Sequence, residues 1–431
     1  MSSQRNDRMQ LVNKLLADHD GLSNSAYQQI LDALETQDGT FGYNAKNQLK
    51  VAVFDARSYD IAAFDNAALD NAALDNAALD NAALDNKAER SSQATPAIHA
   101  AASAHATASA HASLTTGAAS AIQAINIQGS LDEVSAIQAK GCLAICVFVN
   151  DDCSAPVIAK LAALGVKLIA LRCAGFNNVD LEACKQYKID VVRVPEYSPY
   201  AVAEHTIALM MMLNRKLHQA YMRNKNGQYV LDGLVGFDMH GKTVGVVGVG
   251  KIGTCLINIL LGFGCKVLAY DTQPSVSLSN HPNVEFVDLS DLIELSDIIS
   301  LHAPLNTKTH HMIDEAALNK MKKNVMLINT SRGALIDSRA LVQGLKSGKI
   351  GSAGLDVYEE EADIFFHDKS NEVITDDVFA RLTTFNNVVI TSHQGFLTKE
   401  ALSNIAQTTL QSFSEFIAGR KGNELTYLVK A

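Results

Sequence analysis

Positive charge is scarce in this sequence of 431 residues, in which 36 basic residues face 46 acidic residues and the formal net charge is −10. Nucleic acids and anionic membranes are bound mainly through clusters of Lys and Arg, so this balance argues against both as main partners. No stretch approaches the roughly 18 uninterrupted apolar residues of a membrane-spanning helix. The first residues, MSSQRNDRMQLVNKLL, are too polar for a secretory signal. We therefore expect a cytoplasmic protein with no membrane partner.

Cysteine is too sparse and too scattered to form a disulfide framework or a structural zinc site. The seven cysteines are an odd number; Cys142 and Cys146 lack CxxC spacing, and no second cluster accompanies them. We predict buried, reduced thiols, as in cytosolic proteins. His99, His105 and His111 recur every six residues without an acidic or cysteine partner. That spacing does not place them on one helix face, so no metal site is predicted.

Two segments of the chain have low complexity or a polar character. Residues 1–48 form a polar N-terminal extension, and residues 61–120 contain a tandem DNAAL pentapeptide followed by an Ala/Ser/Thr-rich stretch. A period of five gives neither a helix nor a strand a continuous apolar face. We therefore expect 61–120 to be an insertion, largely disordered or loosely helical, on the surface. The remaining length corresponds to about two domains.

Strand patterns alternate with helical patterns in the rest of the chain, which is typical of parallel α/β sheets. We predict a first domain at 49–196, which contains the insertion, and a second domain at 197–396, which starts with a long helix. Residues 397–431 are expected to form a helix that returns to the first domain. The predicted fold class is α/β, with two Rossmann-like or flavodoxin-like parallel-sheet domains and a cleft between them.

The sequence GVGKIG at 248–253 follows a strand pattern and opens a helical pattern. Glycine at the first position permits a tight turn, at the second it lets the backbone approach a pyrophosphate, and at the third it allows close packing of helix and sheet. Asp271, 18 positions after Gly253 at the end of the next strand, can accept both ribose hydroxyls and would repel a 2′-phosphate. This context predicts NAD as the cofactor. The predicted cofactor-binding residues here are Gly248, Gly250, Lys251, Ile252, Gly253 and Asp271.

Three later strand ends carry Arg332, Glu361 and His393. Reduction of a 2-keto acid needs a cation that grips the carboxylate, which arginine does bidentately, and a proton donor that works near neutral pH, as histidine does. A carboxylate beside the histidine favours its protonated form. Asp356 ends the same strand as Glu361 and could orient this network. From the residues alone, a surface arginine, a solvated acidic run and a capping histidine stay open as the alternative.

The motifs SRGALID, GLDVYEEEADIFF, HQGFLTKEA, LRCAGFNNVDL, VPEYSPYAVAEHT and HGKTVGVVGVGKIG resemble the D-isomer-specific 2-hydroxyacid dehydrogenase family, in particular its D-lactate dehydrogenase branch. The resemblance runs from about Leu49 to Tyr427, interrupted by the insertion. It implies reduction of pyruvate to D-lactate by NADH in a homo-oligomer, either a dimer or a tetramer. It also implies that Arg332 binds the substrate carboxylate and carbonyl, that Glu361 supports the protonated histidine, and that His393 is the acid/base.

The same resemblance implies further contacts. It places the backbone amides of Ala174 and Gly175 on the substrate carboxylate, and Phe148, Tyr197 and Phe396 as apolar walls around a small side chain. It adds to the cofactor-binding residues His302, Pro304, Thr330 and Asp356.

Two other functions stay open at this point. One is a relative that uses another small 2-keto or 2-hydroxy acid. The other is an NADH-sensing corepressor or scaffold of the same fold. His205, which also lies in a matching motif, is assigned to packing of its helix and between the domains.

Overall fold

A computed structural model describes residues 42–44, 46–67, 121–274 and 276–430. The chain divides into two compact units: unit 1 comprises Met1–Tyr197 and Lys399–Ala431, and unit 2 comprises Ser198–Thr398. Most of the predicted N-terminal extension and most of the predicted insertion, with its three histidines, lie outside the described residues. Within the described ranges, no helix combines the length and the apolar character needed to cross a membrane.

Unit 1 is built on a parallel five-stranded sheet. Its strands are β1 (Leu49–Val53), β2 (Ile122–Asn126), β3 (Ala144–Val147), β4 (Leu168–Leu171) and β5 (Asp190–Arg193). They lie in the order β2-β1-β3-β4-β5, and every pair is parallel. All residues of β3 and β4 are buried, because helices cover both faces of such a sheet. The edge strand β2 is mostly exposed, and its weak apolar pattern did not predict a strand.

The helices of unit 1 begin and end at local signals in the sequence. Besides the helical residues 58–67, they include α1 (Ala155–Leu164), α2 (Leu181–Tyr187) and the C-terminal helix (Lys399–Ile417). Helix α1 has a proline in its first turn and ends at Gly165, whose φ of 96° suits a left-handed cap. Asp180 caps α2 by accepting a hydrogen bond from the Ala183 amide. Phe413 brings the C-terminal helix into the core formed with β1, β3, β4 and β5.

The packed part of unit 1 extends into the predicted insertion. Residues 58–67 are helical, and Ile61, Phe64 and Ala67 recur at intervals that place them on one helix side. Ala67 is 1% exposed and packs against Ala406 and Leu410 of the C-terminal helix. Ile61, Phe64 and Ala67 therefore pack with unit 1, although their position at the start of residues 61–120 predicted that they belong to the insertion.

We expect unit 1 to fold without residues 68–120. Ala67 and Ile122 pack in the same apolar cluster, so a short Gly/Ser linker can join them. The entropy of closing such a connection depends only weakly on its length. The melting temperature of this variant should stay within about 5 °C of that of the full chain. A matched variant that lacks 61–120 should melt clearly lower, because it loses the buried helical residues. Loss of cooperative melting in the first variant would contradict this expectation.

Unit 2 is built on a parallel seven-stranded sheet. Its strands are β6 (Thr243–Val247), β7 (Lys266–Tyr270), β8 (Val284–Phe286), β9 (Ile298–Leu301), β10 (Val325–Asn329), β11 (Ile350–Leu355) and β12 (Val388–Ile390). The order is β12-β11-β10-β9-β6-β7-β8. The strand order reverses between β6 and β9, whose ends pair at Val247 and Leu301. In an open α/β sheet, ligands bind beyond the carboxyl ends of the strands at such a reversal.

Helices cover both faces of the second sheet. They are α3 (Pro199–Asn214), α4 (Leu217–Lys225), α5 (Lys251–Gly262), α6 (Val276–Ser279), α7 (Leu289–Leu295), α8 (Glu315–Lys320), α9 (Ser338–Lys346) and α10 (Asp377–Thr383). Two apolar cores result, one on each face. The start of α3 is set by Ser198, whose hydroxyl accepts from the Ala201 amide, and by Pro199 in the first turn. These structures confirm the predicted fold class of two parallel-sheet α/β domains.

All seven cysteines lie within the described residues, and none of them forms a disulfide. Six are buried, and Cys255 is partly exposed. Burial raises the pKa of the Cys142 and Cys146 thiols to about 11. The thiolate forms, which bind metals and react, are therefore disfavoured at these two positions.

Candidate active site

The glycine-rich turn joins β6 to α5 at the point where the strand order reverses. Gly248 has φ +92°, and a Cβ there would lie 2.7 Å from the backbone of His302 and Ala303. A Cβ at Gly253 would collide with the Gly248 carbonyl. At Gly250, in contrast, a Cβ would meet no heavy atom within 4 Å. Two glycines thus allow close packing, and the third leaves the turn open to a ligand.

Asp271 follows β7 and lies against the same turn. Its Oδ2 accepts a hydrogen bond of 2.6 Å from the Val249 amide, and its Oδ1 accepts from the Gln273 amide at 2.9 Å. Helix α5 begins directly after the turn, at Lys251, with its amino end at this edge of the sheet. Free amides at a helix start attract phosphate, and the carboxylate is positioned to accept from ribose hydroxyls. The residues present therefore fit an adenine dinucleotide.

The other predicted cofactor residues follow β9 and β10 at the same edge. His302 Nε2 lies 2.8 Å from Ser300 Oγ, and burial lowers the pKa of His302 to about 4. The Pro304 carbonyl accepts from Thr309 Oγ1 at 2.6 Å. The buried Thr330 hydroxyl lies 2.9 Å from Thr206 Oγ1, which ties β10 to α3. With a pKa of about 4, the ring of His302 is neutral at physiological pH. The backbone of His302 lies beside the glycine-rich turn, at Gly248.

We expect His302 to make the protein less stable in mild acid. Its pKa is about 4 in the folded protein and about 6.5 when unfolded, so between pH 7 and pH 5 only the unfolded chain gains this proton. Since His302 as a residue is only partly buried, the free energy of unfolding should fall by no more than about 1–2 kcal/mol over this range. Urea unfolding at both pH values should show a smaller fall for His302→Asn. The exposed control His281→Asn should behave as the wild type; an equal fall in all three proteins would contradict the assignment.

The three predicted catalytic residues follow neighbouring strands. The ends of β10, β11 and β12 are level, since Asn329 pairs with Leu355 and Leu355 with Ile390. Carboxyl ends of parallel strands meet at one edge, so Arg332, Glu361 and His393 come from adjacent positions of the same edge of the sheet. Which of the three side chains make contact depends on the path of the loops that follow β10, β11 and β12.

His393 and Glu361 are in direct contact. The distance from His393 Nδ1 to Glu361 Oε1 is 2.7 Å, and the two side chains are 17% and 19% exposed. Glu361 Oε2 also accepts from the Tyr358 amide at 2.9 Å, which fixes the carboxylate. His393 has φ +52°, a conformation that costs energy for a residue with a Cβ, and its amide donates to the Asp356 carbonyl at 2.7 Å. Because Nδ1 faces the carboxylate, Nε2 is the nitrogen left for proton exchange.

Arg332 lies on the loop after β10, the strand that pairs with β11. Its Nη1 donates to the Ser331 carbonyl at 2.7 Å, and its own carbonyl accepts from Asn329 Nδ2 at 2.8 Å. A Cβ at the next residue, Gly333, would collide with the peptide between Tyr358 and Glu359, so the loop packs closely against the segment that carries Glu361. Within the described residues, the arginine side chain hydrogen-bonds to Ser331 and not to Glu361 or His393.

Asp356 anchors the loop of His393 through contacts that the sequence did not predict. Its Oδ1 accepts from the Thr391 hydroxyl at 2.6 Å and from the Gln394 amide at 2.8 Å, and it lies 3.3 Å from His205 Nε2. Its Oδ2 accepts from the Gly395 amide. Burial alone would raise the pKa of Asp356, but the hydrogen bonds from His205 and Thr391 outweigh it and hold that pKa below its ordinary value. His205 is thus part of this polar network, and not only a packing residue.

The predicted substrate residues lie at several strand ends. Phe148 follows β3 and is 6% exposed, whereas Ala174 and Gly175 follow β4 and are half-buried. The Tyr197 carbonyl accepts from Asn404 Nδ2 at 2.5 Å. These four belong to unit 1, and Phe396, which is 7% exposed, belongs to unit 2.

Sequence reasoning missed a buried charge cluster in unit 1. Arg172, 1% exposed, donates to the carbonyls of Phe54 and Asp55 at 3.0 and 2.8 Å, and its guanidinium lies 5.0 Å from the centre of the Phe148 ring. Asp151 accepts from the Phe148 amide at 2.6 Å, and burial raises the pKa of Asp151 to about 6. Arg172 directly follows the apolar strand β4, and this is the feature of the sequence that could have indicated the cluster. The cluster holds the ends of β1, β3 and β4 together.

Comparisons with known proteins agree with this geometry. Residues 207–395 match the model described as "D-isomer specific 2-hydroxyacid dehydrogenase, NAD binding domain". The D-lactate dehydrogenase of Escherichia coli (strain K12) is 56% identical over 289 residues, which are 67% of this chain and 88% of that protein. The 2-hydroxyacid dehydrogenase homolog 1 of Schizosaccharomyces pombe is 49% identical over 301 residues, 70% of this chain and 90% of that protein.

Solved structures show the same likeness. The apo-structure of D-lactate dehydrogenase from Escherichia coli has a TM-score of 0.69 and 42% identity, and covers 89% of this chain and 100% of its own. The pyruvate reductase of Chlamydomonas reinhardtii has a TM-score of 0.70 and 38% identity, with 88% and 99% covered. These matches confirm the predicted family and confirm NAD as the cofactor. The chain belongs to the D-isomer specific 2-hydroxyacid dehydrogenase family.

Proposed function

We propose that this chain is an NAD-dependent D-lactate dehydrogenase, which converts pyruvate, NADH and a proton into D-lactate and NAD⁺. The observation that carries the proposal is the 2.7 Å hydrogen bond between His393 and Glu361, which follow strands next to β10, the strand before Arg332. The dinucleotide turn lies at the same edge of this sheet. The names of the relatives support it: several of them are D-lactate dehydrogenases.

In the proposed reaction, NADH supplies the hydride that reduces the keto carbon. Its pyrophosphate and ribose would be held by the 248–253 turn and by Asp271. His393 donates a proton from Nε2 to the carbonyl oxygen as negative charge develops there. Glu361 stabilises the protonated ring through Nδ1. Arg332 binds the substrate carboxylate with two parallel hydrogen bonds and polarises the carbonyl.

Further substrate contacts stay predictions. The amides of Ala174 and Gly175 are proposed to bind the carboxylate, and Phe148, Tyr197 and Phe396 to surround the methyl group. Arg172 and Asp151 support the part of this proposal that concerns Phe148, because the guanidinium of Arg172 lies over its ring and Asp151 accepts from its amide. Apolar aromatic walls favour a small apolar substrate over one that carries a second charge.

The test is an assay of the purified full chain with a panel of 2-keto acids of increasing size, each with NADH and with NADPH. We expect the highest kcat/KM with pyruvate and NADH, and D-lactate as the product by chiral chromatography. A higher kcat/KM with a bulkier keto acid would show that the alternative substrate is correct. Tight NADH binding with no turnover of any keto acid would identify the corepressor or scaffold instead.

We further infer a cytoplasmic homo-oligomer that binds neither nucleic acid nor membranes. Helix α4 has no buried residue, and large apolar side chains are exposed on it and on the segment that follows: Leu217, Tyr221, Met222, Tyr229, Val230, Leu231 and Val235. Exposed apolar surface of this kind is typical of a protein interface. Light scattering of the purified chain should give the mass of a dimer or a tetramer. The seven cysteines form no disulfide, which supports a reducing compartment.

A further inference from the structure

Three potential metal ligands of unit 2 converge at a place to which the proposed reaction assigns no role. His310, His311 and Glu359 each offer one ligand atom, and these atoms all lie within 4.8 Å of one another. Two imidazole nitrogens and one carboxylate oxygen form a ligand set that suits zinc and related ions, with a fourth position open to water. We propose that these three residues bind one divalent transition-metal ion of the zinc class.

The backbone brings the two consecutive histidines to the same side of the chain. His311 has φ +50°, a left-handed conformation, and its amide donates to the Ala334 carbonyl at 2.8 Å. Two residues later, Ile313 bridges to Ile336, so the segment is held at both points. As a result the rings of His310 and His311 stack, with centroids 3.9 Å apart and an angle of 27° between the planes. In extended chain, consecutive side chains would point to opposite faces.

Glu359, the third ligand, is held in place by contacts of both of its carboxylate oxygens. Glu359 Oε1 lies 2.5 Å from His311 Nε2, and its Oε2 accepts from the Ser338 amide at 3.3 Å, at the start of α9. An ordinary histidine–carboxylate pair accounts for these two side chains but not for the ring of His310 beside them. A metal ion would replace the proton between His311 and Glu359 and use all three groups.

The position of the ligands leaves an ion accessible to solvent. His310 is exposed, and the side chains of His311 and Glu359 are 32% and 21% exposed. An ion can therefore enter and leave, and can keep water in its open position. The site does not include the residues assigned to hydride transfer. Its metal affinity can thus be measured whether or not the chain reduces pyruvate.

The experiment measures Zn²⁺ binding to the full chain by competition with a chromophoric chelator. The background carries His99→Gln, His105→Gln, His111→Gln and Cys255→Ser, which removes the histidines of the Ala-rich segment and the one cysteine that is not buried. We expect one saturable ion per chain. His310→Gln and Glu359→Gln should each weaken it at least about tenfold, because even outer-shell partners of a metal ligand are worth about 10–100-fold. The exposed control His281→Gln should leave the affinity unchanged.

A second measurement counts the nitrogen ligands directly. With less than one equivalent of Cu²⁺, electron paramagnetic resonance of the background protein should show coupling to two imidazole nitrogens, and of His310→Gln to one. His310 is exposed, so this variant should fold, which its melting temperature checks. Unchanged Zn²⁺ affinity in folded His310→Gln, or no saturable site in the background protein, would overturn the proposal.

Discussion

Replacing His393 with alanine should lower kcat for pyruvate reduction by about 10²–10⁴-fold, the usual worth of a positioned proton donor. The hydride cannot add to the carbonyl unless negative charge on the oxygen is neutralised, and His393 is the residue proposed to do so. NADH binding should change little, because the cofactor is proposed to be held by the 248–253 turn and Asp271. Single-turnover kinetics and NADH fluorescence titration separate these two effects.

The pH dependence should distinguish proton donation from a structural effect of the same change. Reduction needs the protonated ring, so the wild-type rate should fall at alkaline pH, and the residual rate of His393→Ala should lack this limb. His367→Ala is the matched control, since His367 is an exposed histidine of the segment after Glu361. Retention of the alkaline limb in His393→Ala would refute the role of His393.

Replacing Arg332 with lysine should lower kcat/KM for pyruvate by about 10²-fold or more, although the charge is kept. The guanidinium forms two parallel hydrogen bonds to a carboxylate, each worth about 1.5–3 kcal/mol, whereas an ammonium cannot match that geometry. Much of the loss should be in KM for pyruvate, and KM for NADH should stay close to the wild-type value. Steady-state kinetics with each substrate varied in turn measures both.

A conservative control is available on the next helix. Arg339 on α9 is exposed, so Arg339→Lys should have wild-type kinetics. Arg332→Lys should also keep the wild-type melting temperature, because within the described part of the chain the side chain of Arg332 hydrogen-bonds to its neighbour Ser331. A near-wild-type kcat/KM for Arg332→Lys would show that another group binds the carboxylate.

Much of the dinucleotide site could be read from neighbouring residues. Gly248, Gly250 and Gly253 occur between a strand pattern and a helix pattern, and the structure shows close packing at the first and third and open space at the second. The bounds of α1 also follow from neighbouring residues, since a proline lies in its first turn and Gly165 caps its end. Strand β2 has no buried residue, so its sequence carries only a weak apolar pattern. For this reason the strand could not be predicted from the sequence.

The contacts among catalytic candidates depended on the order of the strands. The sequence placed Arg332, Glu361 and His393 at strand ends but did not show that β10, β11 and β12 are neighbours. Nor did it show that Asp356, Thr391 and His205 share hydrogen bonds. The residues within each of these two sets are tens to more than a hundred positions apart in the sequence. No local periodicity therefore relates them.

The sequence by itself determined the α/β class, the dinucleotide turn and the family, because helix and strand periods and glycine requirements act over short distances. Only the tertiary structure decided that Ala67 belongs to the core, that Arg172 is buried among three strand ends, and that His393 meets Glu361. The physical reason is that burial and hydrogen-bond partners are set by which strands lie side by side, and that order is a property of the whole sheet.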